Sequence, residues 1–204
     1  MRSELARIAT IFSSEIAGCR DVAGVADSLS PYAPALDLRD LHRHSLAGAV
    51  SALDTCVHSV VRAGILLQLQ GYGPPLNAQL PLGADLFRRW YSGDSAALNE
   101  MELALRLAHS HWTMQKPNDI ADAVRLVSSK PLWFSAAGED TQRASYLKTS
   151  LDVIVRRRNQ IVHESDYDPS TQTKWPIDSA LALSAIDLVE ERGKAVIAHL
   201  AAEF

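Results

Sequence analysis

The sequence predicts an all-α fold, a helical bundle in which long antiparallel helices carry an inserted set of shorter ones. Three observations predict it. Apolar residues recur at steps of three and four along nearly all of the 204-residue chain, the spacing of one buried helix face. Period-two alternation, the mark of a half-buried strand, is nearly absent. Gly and Pro cluster at only a few places, so the helices between them are long. The length suits one domain, residues 1–204 with an insertion at about 71–138, and a composition 47% hydrophobic and 22% charged supplies enough apolar material for a core.

A first helix is expected over residues 2–18, with a broken continuation to about Leu29. "SPYAPALDLRD" is a Pro-rich link in which Asp37 or Asp40 can cap the second helix. That second helix has the strongest pattern: Leu46, Val50, Leu53, Val57, Val60, Gly64 and Leu67 form one seam. It ends at "GYGPPLNAQLPLG", Gly71 to Gly83. Shorter helices are expected at 84–92, 96–114 and 118–129. A long helix then starts near Asp140 and runs until Pro169, which cannot continue it. The last starts near Ile177 and passes through Leu181, Ala185, Leu188, Val196 and Leu200.

Bulk properties exclude several classes. A formal charge of −4 and an isoelectric point near 6.0 argue against a general nucleic-acid or membrane-surface binder, though not against a local basic cleft. Cys19 and Cys56 lie in separate apolar segments without metal-ligand spacing, which reads as reduced core thiols. Acids interrupt the N-terminal apolar stretch, so it is not a signal peptide, and no continuous run is read as a membrane span. The expectation is a soluble, cytoplasmic protein with no membrane association.

One stretch stands apart: "VRRRNQIVHES", Val155–Ser165. At about 100° per residue, Leu147, Leu151, Ile154, Val155, Ile161 and Val162 fall within an arc about 120° wide. Arg158 projects into the middle of that arc, and Arg157 points away from it as an ordinary surface charge. Asp152, Arg156, Asn159 and His163 form a second stripe along its edge, with Asn159 one turn from His163. A guanidinium in an apolar setting needs a partner, a second subunit or an anionic ligand, because an unpaired buried charge costs several kcal/mol. Arginine, asparagine and histidine together can hold a phosphate and move a proton. A structural account competes with this one: cations favour a helix C-terminus, and a histidine there can cap carbonyls.

Arg158, Asn159 and His163, within "RNQIVHE", resemble the signature of the HEPN superfamily, an arginine followed after four to six residues by a histidine. The helix "HSLAGAVSALDTCVHSVVRAGIL" is similar to the second helix of the RiboL-PSP-HEPN branch, with Ser51 to His58 at its centre and Asp54, His58 and Arg62 at its polar positions. The resemblance covers about residues 44–66 and 145–165 and leaves the insertion unmatched. It implies a HEPN-like helical bundle and a metal-independent, cofactor-free endoribonuclease of toxin–antitoxin or phage-defence type. Such a protein would work on RNA as a homodimer, in some systems restrained by an antitoxin protein. Catalytic roles would fall to Arg158, Asn159 and His163, and substrate-binding or supporting roles to Arg156, Glu164, Asp54, His58 and Arg62. The rival is a non-catalytic HEPN-like module that holds a nucleotide, a phosphate or a protein partner.

Other motifs have plainer readings. "HRH" at 42–44 and "HSH" at 109–111 lack metal-ligand spacing and read as solvated helix surface. Asp54, His58 and Arg62 read either as a surface ladder or as support for the cleft. In "DLFRRWY", Phe87, Trp90 and Tyr91 are expected in the core of a short amphipathic helix, with single-strand binding as the alternative. Tyr72 is a base-stacking candidate only if its loop borders the cleft, and Trp133 and Phe134 are expected to pack.

Overall fold

A computed structural model describes residues 2–33, 35–75 and 82–204. The described residues form eight helices: α1 (Arg2–Leu29), α2 (Arg39–Leu69), α3 (Ala84–Tyr91), α4 (Ser95–Ala108), α5 (Pro117–Val124), α6 (Leu132–Ala136), α7 (Thr141–His163) and α8 (Ser179–Ala201). They contain no strand, only an isolated bridge between Tyr167 and Lys174. The all-α expectation is met.

Aspartates open three of the helices. The Asp94 carboxylate accepts from the N–H of Ala96, Asp140 from Gln142 and Arg143, and Asp178 from Leu181. Each satisfies an amide that the helix itself leaves unpaired. Ahead of α2, Asp37 accepts from the Arg39 N–H at 3.1 Å, whereas Asp40 lies inside the first turn.

The frame is four long helices. Phe12 and Ile16 of α1, Leu53, Val57, Val60 and Val61 of α2, Leu147 and Leu151 of α7, and Ile186, Val189 and Val196 of α8 share one buried cluster. Cross-links fix the directions. Ser45 of α2 donates to the Cys19 carbonyl, and Arg20 of α1 reaches Asp187 and Glu190 of α8 at 2.6 and 2.5 Å. The buried Arg192 of α8 donates to the Leu147 carbonyl and Ser150 Oγ of α7. α1 and α7 therefore run one way, and α2 and α8 the other. α2 is long and apolar enough to cross a bilayer by length and composition alone. It packs against α1, α4, α5, α7 and α8, and more than half of that apolar stretch is buried in the bundle.

The short helices differ most from expectation. α1 is continuous to Leu29, α4 stops at Ala108, α5 stops at Val124, and α6 has no counterpart in the sequence pattern. α5 and α6 join the main core through Ile120, Val124, Leu132 and Trp133, whose indole N–H donates to the Pro117 carbonyl at 2.7 Å. α3 buries nothing, and Tyr91 is 85% exposed. Its register is set instead by Arg89, which bridges Asp94 and Glu100. With only α4 alongside, an eight-residue amphipathic helix has no core to enter. Cys56 is buried, which pushes its thiol up to about 12, and Cys19 is free.

A Cβ on Gly64 would stand 2.8 Å from the Cβ of Val127, an atom fixed to its own backbone and unable to swing aside. Gly64→Ala should therefore lower stability by about 1–3 kcal/mol despite its better helix propensity, read as a lower denaturant midpoint at unchanged m value. Stability should also depend on pH. Burial depresses the imidazoles of His109 and His199 below their ordinary value; the charges of His58, Arg62 and His111 add to this at His109, and Glu203 opposes it at His199. The folded chain then binds fewer protons than the unfolded one just below about pH 6.5, so the contribution of these neutral imidazoles is complete above that pH and is lost as pH falls through their folded values. The melting temperature should drop between pH 7 and 5, and less steeply in His199→Gln.

Candidate functional site

The last two turns of α7 carry the RNxxxH motif, and the structure sends its three arginines in three directions. Arg156 is exposed and pairs with Asp152 one turn back at 3.1 Å. Arg157 is not the surface charge its helical angle predicts: its Nη2 reaches the Asp166 carboxylate at 2.9 Å and the Trp175 and Pro176 carbonyls. The segment after α7 folds back over that flank of the helix, which a helical projection cannot foresee. Arg158 is half-buried. Its Nη1 donates to Asn159 Oδ1 at 3.1 Å, its Nε is buried without a partner, and among the described residues no carboxylate lies within ion-pairing distance of it.

The residues around Arg158 are only partly covered. Burial on α7 stops at Val155; Ile154 and Ile161 are half-buried and Val162 is exposed. His163 closes the helix and is exposed, as is Glu164 beyond it. Asn159 and His163 stack one turn apart, as expected. Arg158 and His163, five residues apart, lie about 140° from each other around the helix axis and about 7.5 Å along it. The two side chains therefore leave the helix on different faces.

Beside the motif lies a buried charge network. Asp166, with no exposed surface, receives Arg43 Nε of α2 at 2.6 Å on the same oxygen that receives Arg157. Arg43, 3% exposed, also donates to the Trp175 carbonyl and to Asp40, and Asp40 in turn accepts both contacts of Lys174 Nζ at 2.8 Å. Lys174 is the main reason the Asp40 carboxyl sits below its usual range. Burial pulls the Arg157 guanidinium down, Asp166 opposes this, and the charge of Arg43 adds to it. Ser165 and Asp166 hold φ of 53° and 63°, left-handed conformations that cost a non-glycine residue about 1–2 kcal/mol each. They reverse the chain at the end of α7, ahead of the Pro169 that was expected to stop the helix. Sequence reasoning misses the pairing of Arg43 with Asp166: "HRH" reads as solvated helix surface, whereas His42 and Arg43 are buried, and nothing local links positions 123 residues apart.

Next to this network is an apolar groove of about 530 Å³ between α7 and α8, lined by Leu46, Val153, Ile154, Trp175, Leu181 and Leu188, with Arg157 at its edge. Val153 and Leu181 are exposed there.

The polar positions of α2 go elsewhere. Asp54 accepts from the Met114 N–H at 2.6 Å, His58 Nε2 meets the Trp112 carbonyl at 3.3 Å, and Arg62 donates to Ser59 Oγ at 3.2 Å. None of them bonds its neighbour in the ladder, and none of these bonds reaches α7. Asp54 and His58 instead fasten the segment after α4 to the bundle. Asp54 lies about 16 Å along α2 from Arg43, and Arg62 about 28 Å. Tyr72 is exposed just past the far end of α2, away from the motif, and residues 76–81 of the Gly71–Gly83 loop lie outside the described residues. His42 is buried 3.5 Å from Asp27, His109 stacks on Trp112 at 4.5 Å, and the described residues contain no cluster of three potential metal ligands.

Compared with protein-family models, curated proteins and solved structures, the chain gives no match in any of the three.

Removing the Asp166 charge tests the network. Asp166→Asn leaves two guanidiniums without their buried counterion and should cost about 3–5 kcal/mol. Asp168→Asn, whose side chain contacts only Ser170 and Thr171 within its own turn, should shift the denaturation midpoint far less.

Proposed function

We propose that the protein is a HEPN-type, metal-independent endoribonuclease, a toxin or phage-defence effector whose site is completed at a homodimer interface. One observation carries the reading: Arg158 is a half-buried guanidinium with no carboxylate partner among the described residues, beside Asn159 and an exposed His163. An anion between two such arginines would relieve both the unmet hydrogen bond and the repulsion between them. The partly covered apolar residues Ile154, Ile161 and Val162, and the groove alongside, supply surface for a second copy.

In this reading His163 takes the proton of a ribose 2′-OH while O2′ attacks the adjacent phosphorus. Arg158, from one or both copies, stabilises the charge that develops on the phosphoryl oxygens. The P–O5′ bond breaks, and the His163 of the second copy gives a proton to the leaving oxygen. Asn159 orients the Arg158 guanidinium, to which it is already bonded. Arg156 and Glu164, both exposed, flank the path of the strand. The products are a 2′,3′-cyclic phosphate and a 5′-hydroxyl, and DNA, lacking the nucleophile, is not cut.

Two observations favour the non-catalytic alternative, a module that holds a nucleotide, a phosphate or a protein partner: the formal charge of −4, and the separation of Arg158 from His163 within one chain. Incubation with total RNA in excess EDTA separates the readings. The wild type should leave cyclic-phosphate ends, with activity reduced about 10²–10⁴-fold in His163→Ala and about 10²–10³-fold in Arg158→Ala, both still folded. Leu181→Glu, in the exposed part of the groove, should yield a folded monomer by sedimentation and lose cleavage with it. RNA left intact by a folded, dimeric wild type would decide for the binding module.

A further inference from the structure

At the other end of α2, a second site takes shape where α1, α2 and α4 meet. A groove of about 340 Å³ is lined by Glu4 and Arg7 of α1, Ser59 and Arg62 of α2, and Glu102 and Arg106 of α4, with Gln70 at its rim and Leu66 and Leu67 on its floor. It continues past Arg7, Ser59 and Arg106 into a neighbouring cavity of about 250 Å³.

The charges in this groove are not evenly matched. Arg7 holds Glu4 through two nitrogens at 2.9 and 2.6 Å, and Arg106 holds Glu102 at 3.1 and 2.7 Å. These pairs neutralise each other at the surface. Arg62 is the third guanidinium and sits deeper, half-buried on the helix that forms the floor. Its hydrogen bond to protein is to Ser59 Oγ, and among the described residues no carboxylate lies within ion-pairing distance. Burial first, and then the charge of Arg106, press on its protonated form, and Glu102 only partly relieves this. His109, which feels the charge of Arg62, supplies no negative charge to offset it.

We propose that this groove binds a phosphate monoester of about mononucleotide size, anchored by Arg62. A guanidinium presents a planar fork that matches phosphate oxygens two at a time. Arg7 and Arg106, both exposed, can turn from their surface carboxylates to the same anion without disturbing the core. Leu66 and Leu67 offer an apolar surface for the body of the ester, and Gln70 a polar contact at the mouth. The site lies about 28 Å along α2 from Arg43 and the end of α7, so it is independent of the RNxxxH motif and of the ribonuclease reading.

The test is a chemical-shift titration of ¹⁵N-labelled full chain with AMP and, separately, with inorganic phosphate. AMP should perturb the amides around Ser59, Arg62 and Gln70 and bind more tightly than phosphate. Arg62→Gln should weaken AMP about tenfold or more, the loss expected for one charge-assisted contact, and Arg62→Lys should restore part of it. Gln70→Glu, an exposed change at the C-cap of α2 that costs the helix about 1 kcal/mol at most, should weaken AMP severalfold by adding negative charge at the mouth. Arg158→Gln should leave this binding unchanged. Perturbations confined to the α7 end, AMP affinity indifferent to Arg62→Gln and Gln70→Glu, or no response to either probe would each overturn the assignment.

Discussion

The carboxylate of Asp166 has no exposed surface and takes two guanidiniums on one oxygen, Arg43 from α2 and Arg157 from α7. Two cations that would repel each other are thereby turned into a strap across three parts of the chain. The segment after α7 is held against α2 through the Trp175 carbonyl and the Asp40–Lys174 pair, and the left-handed Ser165 and Asp166 are kept in a conformation they would not adopt freely. The end of α7, and so the placement of Arg158, Asn159 and His163, depends on this arrangement. A buried ion pair contributes little net stability over an apolar substitute; its value here is that it admits one geometry for a loop with almost no core of its own.

The run of three arginines thus has three explanations. Arg156 is a solvated i,i+4 partner, worth a few tenths of a kcal/mol at most. Arg157 is structural. Arg158 is left over, with an unmet buried N–H and only an amide oxygen beside it. A helix C-terminus favours cations in general, but that preference accounts for neither the burial of Arg157 nor the isolation of Arg158. The isolated charge is the observation that calls for a ligand or a second chain.

The same comparison applies at Arg62. A solvated surface usually matches its arginines with nearby acids, as at Arg7–Glu4 and Arg106–Glu102. Among the described arginines that are buried or half-buried, Arg62 and Arg158 lack such partners, and they lie toward opposite ends of the molecule. An overall charge of −4 coexists with two local cationic positions because most of the acids are already engaged or lie on other faces.

The sequence by itself determined the helical class, the four long helices and their seams, because a period of 3.6 leaves its mark on every turn that faces a core. It also singled out Arg158, Asn159 and His163, whose relation along one helix is fixed by that same period. Short elements were less legible: α6, the early end of α4 and the exposed face of α3 depend on what packs against them, and a few residues carry too little pattern to say. Only the tertiary structure decided that Arg157 is buried, that Arg43 is its partner through Asp166, and that Asp54 and His58 serve the segment after α4. These contacts join positions far apart in the chain, and a charged residue records in the sequence only its charge, not the partner that folding brings to it.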